Sequence, residues 1–460
     1  MNTKRTKLLL VPVVVPVIAI AIAVGLSSCR VMNGYGSPVA DTDGIYRVED
    51  TGDTTTIAHM PWNVYFADTC LHALIAEGLE GNFDLLIASA RIQQAEAALT
   101  TANAAYFPTA SLVGQLTHSE PKDNRNTNFN LGVAVQWEAD LRGKLNSQAR
   151  ARYAQLLNSH AYRHLVQTSL IANIATSYYT LMALDEQLRI TGETIELLKE
   201  SSATMQHLMD AGLLNAAAVE QSKALLYNTQ ISIPGLESRI RQIENTLSVM
   251  VGRKAGEIER QNIRIQNLPG QLKYGLPAQL LSHRPDVRQA ELNFRSAFEM
   301  KNAARAALYP SITLNVNAGT AIESFFRPEN ILINIIGGIT QPIFAGNQLR
   351  GQLKIAKAQQ EEALLNFKKT LLSAGQEVSD ILYAFESSRH KNELRAKQIE
   401  ALTTAVYFTQ ELLKAGEANY TEVLTAEQNL LQAKIAQVND KLEQIQAVVN
   451  LYRALGGGAG

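Results

Sequence analysis

Two histidines, His160 and His164, stand four residues apart in a stretch with helical periodicity, a spacing that puts both imidazoles on one helix face where they could hold zinc. The chemistry stops there. Position 161 is Ala161, where a hydrolytic zinc helix carries its glutamate base, and no third ligand stands out. The other histidines, His59, His72, His118, His207, His283 and His390, do not cluster along the chain. Gly143-Lys144 lacks the upstream glycine of a phosphate-cradling loop. The eight methionines are scattered and make no metal-binding run. The sequence is therefore read as that of a non-enzyme, with no catalytic residue, no metal site and no cofactor.

The cysteines carry a different chemistry. Lys4, Arg5 and Lys7 precede an uncharged run over residues 8–24, the basic and apolar regions of an export signal. Pro12 and Pro16 interrupt that run, which is short for a stable spanning helix. It ends in Leu26-Ser27-Ser28-Cys29, which resembles the lipobox of bacterial lipoproteins, where the cysteine becomes the first residue and receives acyl chains such as palmitate. Residues 1–28 are then a signal peptide and Cys29 the lipid attachment site. Cys70 is left without a disulfide partner and is expected to be a small buried apolar residue.

The elements around these residues come in duplicate. Ala104-Ala105-Tyr106-Phe107-Pro108-Thr109 recurs as Ala306-Ala307-Leu308-Tyr309-Pro310-Ser311, and the Ala211-Gly212 and Ala415-Gly416 pairs sit in matching surroundings. Each half reads as a helix, two strands, a very long helix, a break at Ala-Gly and another long helix. The net charge of −1 is spread along 460 residues, with no basic patch for nucleic acid or lipid headgroups.

Large apolar residues alternate with small or polar ones from Asn128 to Trp137 and from Ser311 to Gly319, and more weakly over residues 111–117 and 332–340. Runs of about ten residues cross a bilayer as tilted strands. Four strands leave open edges, which lipid forbids, so a barrel must be shared between chains. Two copies would give eight strands, with room only for side chains or one small ligand; three give twelve, so a conducting barrel favours three. From Gly143 to Met209 there is no proline, a helix of roughly 100 Å at 1.5 Å per residue, and residues 349–413 behave alike. Wide alanine-rich apolar stripes give these helices neighbours on two sides. Each reverses at Ala-Gly, because glycine accepts the left-handed conformation that closes a helix.

Three stretches carry a resemblance: Leu276-Pro277-Ala278-Gln279-Leu280-Leu281-Ser282-His283-Arg284-Pro285-Asp286-Val287-Arg288-Gln289-Ala290-Glu291, Tyr309-Pro310-Ser311-Ile312, and Ala415 through Leu424. The chain resembles the TolC-like outer-membrane efflux proteins, in particular the lipoprotein outer-membrane components of RND tripartite pumps. The resemblance covers nearly the whole mature chain and implies a mainly α fold with a membrane β-barrel portion. Three protomers would form a twelve-stranded barrel and an α-helical periplasmic tunnel ringed by an equatorial domain. It implies residues 29–80 as a lipidated segment with an equatorial contribution, 81–252 and 283–456 as the two repeats, 253–282 as an equatorial linker and 457–460 as a flexible tail.

The implied function is a passive outer-membrane exit duct, with a periplasmic adaptor, an inner-membrane RND transporter and outer-membrane lipid as partners; a trimeric scaffold without conduction is the competing reading. The cargo, whether drug, metabolite or metal ion, is left open. Family members close the periplasmic end with acidic rings, which places the gate at Glu422, Thr425 and Tyr420, with Thr425 a departure from the second acid. Ala218 is the first-repeat match of Glu422. The adaptor-contact tips are Ala211-Gly212-Leu213 and Ala415-Gly416-Glu417, the latter departing at its last residue.

Overall fold

The computed structural model describes residues 34–40, 42, 44–47, 56–120, 126–265, 274–275, 283–321 and 331–458. Cys29, the signal sequence, the tips of both strand connections and most of the linker 266–282 lie outside the described residues. The chain divides into two compact units, one of residues 1–39, 92–159 and 290–367, the other of residues 40–91, 160–289 and 368–460. Both draw on both repeats.

The helices are α1 (Trp62–Tyr65), α2 (Thr69–Gly81), α3 (Phe83–Ala104), α4 (Lys144–Asp210), α5 (Ala216–Met250), α6 (Pro285–Ala306), α7 (Gln348–Lys414) and α8 (Tyr420–Ala454). The duplication is exact in length: α4 and α7 are each 67 residues, and α5 and α8 each 35. Among the described residues no helix is long and apolar enough to cross a membrane.

In the first unit β1 (Thr109–Ser119), β2 (Asn126–Ala139), β3 (Ser311–Ala321) and β4 (Leu332–Thr340) form one antiparallel sheet in sequence order. All four expected strands are present. The pairing of β2 with β3, from Asn130 opposite Ala321 to Ala139 opposite Ile312, joins the two repeats in one sheet. Trp137 Nε1 donates to the Tyr106 carbonyl at 2.9 Å, tying β2 to the segment before β1, and Lys144 pairs with Glu138 at 2.9 Å across the turn from β2 into α4.

In the second unit α4 is buried along Ile171, Ile174, Ala175, Tyr178, Leu181 and Met182, a stripe wider than one neighbour needs. Part of it is met by α2, where Gly78 leaves room for Ile174. Tyr178 donates to Asp68 at 2.9 Å and accepts from the Gln261 amide at 3.2 Å. Two expectations are corrected here. Cys70 is half-buried, not part of the core, the fully buried position in the first turn of α2 being taken by Leu71. The C-terminal residues Gly457 and Gly458 are not a loose tail: both are buried, and Gln167 Nε2 donates to the Gly458 carbonyl at 2.8 Å.

Candidate functional site

The sheet presents two unlike faces. Directly paired residues share a face, so the register aligns Leu112 with Val133, Val135 with Val316, and Val316 with Ile335 on one side. The other side carries Gln115 opposite Asn130, Gln136 opposite Asn315, and Asn317 opposite Asn334. Among the described residues no second sheet covers the apolar face: Leu112 is 73% exposed and Ile335 68%. Among the described residues the outer edges of β1 and β4 have no strand partner.

The tips are built by one local device used twice. At the end of α4, Gly212 N–H donates to Met209 and Leu213 N–H to Leu208, at 2.9 and 2.8 Å, with Gly212 at φ +76°. At the end of α7, Gly416 N–H donates to Leu413 and Glu417 N–H to Leu412, at 3.1 and 2.9 Å, with Gly416 at φ +75°. This paired closure satisfies orphan carbonyls and needs a left-handed residue, which is why both breaks fall on glycine. Asn215 and Asn419 then cap the returning helices, accepting from the Ala218 and Thr421 amides. Ala211, Gly212, Leu213, Ala415, Gly416 and Glu417 are all exposed.

Glu422 and Thr425 lie one turn apart on an exposed face of α8 with Thr421, Gln428 and Asn429, so Glu422 is the one formal charge in a polar stripe. Thr425 Oγ1 donates back to the Thr421 carbonyl at 2.7 Å. Tyr420 does not share this stripe: it packs on a core of Met205, Val219, Leu413, Val423 and Leu424. Ala218 is fully buried, so equivalence by repeat does not make it a counterpart of exposed Glu422.

The motif around Arg284 closes on itself. Arg284 Nε and Nη2 donate to the two Asp286 oxygens at 2.9 and 2.6 Å, and Nη1 donates to Glu377 at 2.7 Å and to the Ala454 carbonyl at 2.8 Å. Burial would raise the Asp286 carboxyl, but the Arg284 guanidinium outweighs it and holds that carboxyl below its ordinary range. Arg260, which nothing in the sequence singled out, fastens the start of the inter-repeat linker to Asp185 and Glu244 at 2.5 and 2.6 Å.

Two of the histidines meet in the fold. His59 and His283 are brought together with ring centroids 4.4 Å apart, a contact that their separation in sequence hid. Among the described residues no three histidine, cysteine or acidic side chains are placed to share a metal ion.

Comparison with known proteins gives these features a context. The outer membrane efflux protein family model matches residues 74–253 and again 276–457. The chain is 28% identical to the probable outer membrane lipoprotein SilC of Salmonella typhimurium, covering 91% of this chain and 90% of SilC. It is 26% identical to the cation efflux system protein CusC of Escherichia coli strain K12, covering 95% and 98%. A crystal structure of CusC, described with its transmembrane channel formation, superposes with a TM-score of 0.83 over 93% of this chain and 99% of that one. One family model matches once on each half, so the duplication read from the sequence is the family's own repeat, and the chain belongs to the outer membrane efflux protein family.

Proposed function

We propose that three copies of this outer-membrane efflux component close one twelve-stranded barrel and continue it as an α-helical tunnel. In this reading they form the passive exit duct of a tripartite pump, with a periplasmic adaptor and an inner-membrane RND transporter as the other members. The observation that carries the reading is the sheet, which among the described residues has an uncovered apolar face, a polar face and two open edges. Lipid covers the first, water fills the space lined by the second, and only neighbouring copies can satisfy the third.

Glu422 and Thr425 form the gate in this reading, with Tyr420 supporting it from the tip core, and the six exposed tip residues from Ala211 to Leu213 and Ala415 to Glu417 meet the adaptor. Cys29, after removal of residues 1–28, carries acyl chains in the inner leaflet, a reading supported by Leu26-Ser27-Ser28-Cys29 and by the lipoprotein description of SilC. Residues 29–80 and 253–282 belong to an equatorial belt, and 81–252 and 283–456 are the two wall repeats.

Native mass spectrometry of the protein released from mild detergent tests the closure. A homotrimer is expected, and a monomer or dimer as the largest species would overturn the architecture.

A further inference from the structure

The first-repeat helix α4 and the second-repeat helix α8 run antiparallel through a seam crossed by polar pairs. Two of these pairs, away from the tips, are neutral: Gln187 Nε2 donates to Asn439 Oδ1 at 2.8 Å, and Gln446 Nε2 to Thr180 Oγ1 at 3.2 Å. Nearer the tips, nearly the same register brings Ser201 of α4 to Glu427 of α8, and here the partner is an acid. Gln410, on α7, donates from Nε2 to Glu427 Oε1 at 2.9 Å, and Oε2 is shielded from solvent. One carboxyl group is thereby held by neutral side chains of two other helices, beside the tip core of Met205, Leu413, Val423 and Leu424.

The charged groups nearby do not neutralise it. Glu200 of α4, Lys414 of α7 and Lys434 of α8 line the adjoining cavity, and Lys414 is engaged by Glu411 at 2.9 Å. From α5, which reaches the same core through Val219, Glu220 and Lys223 pair with each other at 2.8 Å, and His207 of α4 is exposed. Burial outweighs the hydrogen bonds from Gln410 and Ser201, and no cation among the described residues offsets it, so the Glu427 carboxyl is pushed above its ordinary value. A buried carboxylate is costly where a neutral acid, which can donate as well as accept, is not.

We propose that Glu427 is a proton-operated latch on the packing of the tip: neutral, it joins α4, α7 and α8 as a hydrogen-bonding side chain, and ionised, it draws water to the seam and loosens it. When the helices separate, the carboxyl meets water and titrates near its ordinary 4.5, whereas the packed tip keeps the proton to higher pH. The packed tip therefore binds more protons. Its stability is complete below pH 4.5 and is lost as pH rises from there through the raised value. In the duct reading above, on which this consequence alone rests, acidification holds the periplasmic end shut.

The test is hydrogen–deuterium exchange of the full-length protein in lipid nanodiscs across acid to neutral pH, corrected for the intrinsic pH dependence of amide exchange; it needs no conduction. In the wild type, protection of the α4 and α8 segments around Ser201 and Glu427 should fall with rising pH, by up to about tenfold per pH unit, the slope of one linked proton. Glu427→Gln keeps the shape and hydrogen bonds of the neutral acid, so the fall should vanish and protection at neutral pH should match that of the acidified wild type. Contributions from Glu422, His207 and the other charged groups are common to both proteins, and the difference between them reports Glu427. Gln410→Leu removes an amide that favours the ionised form and should carry the fall to higher pH. Flat or rising protection in the wild type, an equal fall in Glu427→Gln, or a fall that Gln410→Leu leaves in place would each overturn the latch. The wild-type and Gln410→Leu profiles decide the matter if Glu427→Gln does not assemble.

Discussion

At Arg284 one guanidinium, 8% exposed, gathers acceptors from three places: Asp286 beside it, Glu377 on α7 and the carbonyl of Ala454 at the end of α8. Removing one partner of such a buried group leaves the others uncompensated, a loss of about 3–5 kcal/mol. Arg284→Ala is accordingly expected to lower the unfolding free energy measured in urea by that amount. The depressed Asp286 carboxyl adds a pH signature. A group whose pKa falls on folding contributes stability that is present above its unfolded value, ordinarily 3.8, and is lost as pH drops through the lower folded value. Wild-type stability should therefore decline below about pH 4, and Asp286→Asn should flatten that acid limb. The motif itself was legible in the sequence; its purpose was not, because Glu377 and Ala454 lie 93 and 170 positions away from Arg284. Arg260 was invisible for the same reason, its Asp185 partner being 75 positions distant.

Among the elements, the strands were readable because a period of two is local, and the observed register puts the alternating residues of all four strands on common faces. Pairing of β2 with β3 was not readable, since it joins strands separated by a whole helical hairpin. The faces give a direct expectation. Arginine at a lipid-facing position near the bilayer centre costs about 2–4 kcal/mol, and much less where it meets water. Val133→Arg and Val316→Arg, on the apolar face, should deplete assembled protein from membrane fractions, whereas Asn130→Arg and Asn315→Arg, on the polar face, should assemble as the wild type does. Equal depletion by all four would show that the polar face does not line water. The helices carry the opposite lesson. The Gly212 and Gly416 breaks and the equal helix lengths followed from the repeat, but exposure did not, since Ala218 is buried where its repeat partner Glu422 is exposed. Duplicated sequence preserves backbone geometry while the neighbours of each copy differ.

For the whole molecule, the proposed trimer would do what one chain cannot. In a single chain Glu422 is an exposed helix glutamate in a polar stripe, with nothing in its surroundings to set it apart. Brought around an axis, three such carboxylates within about a Debye length of roughly 8–10 Å would repel each other and concentrate cations between them. The wild-type trimer in planar bilayers should then be cation-preferring and blocked by divalent ions, and Glu422→Ala should weaken both properties. Glu400→Ala removes another exposed charge, on α7, and is expected to leave conductance and selectivity unchanged. The same currents separate a duct from a trimeric scaffold, which would carry none in any variant. If Glu422→Ala conducts and selects as the wild type does, the constriction is not an acidic ring. Leu424 is buried in the tip core and Tyr420 packs on it, so neither presents a free side chain as a replacement. The search would then move along the exposed stripe to Thr421 and Thr425, where a hydroxyl lining would narrow the pore without selecting for charge.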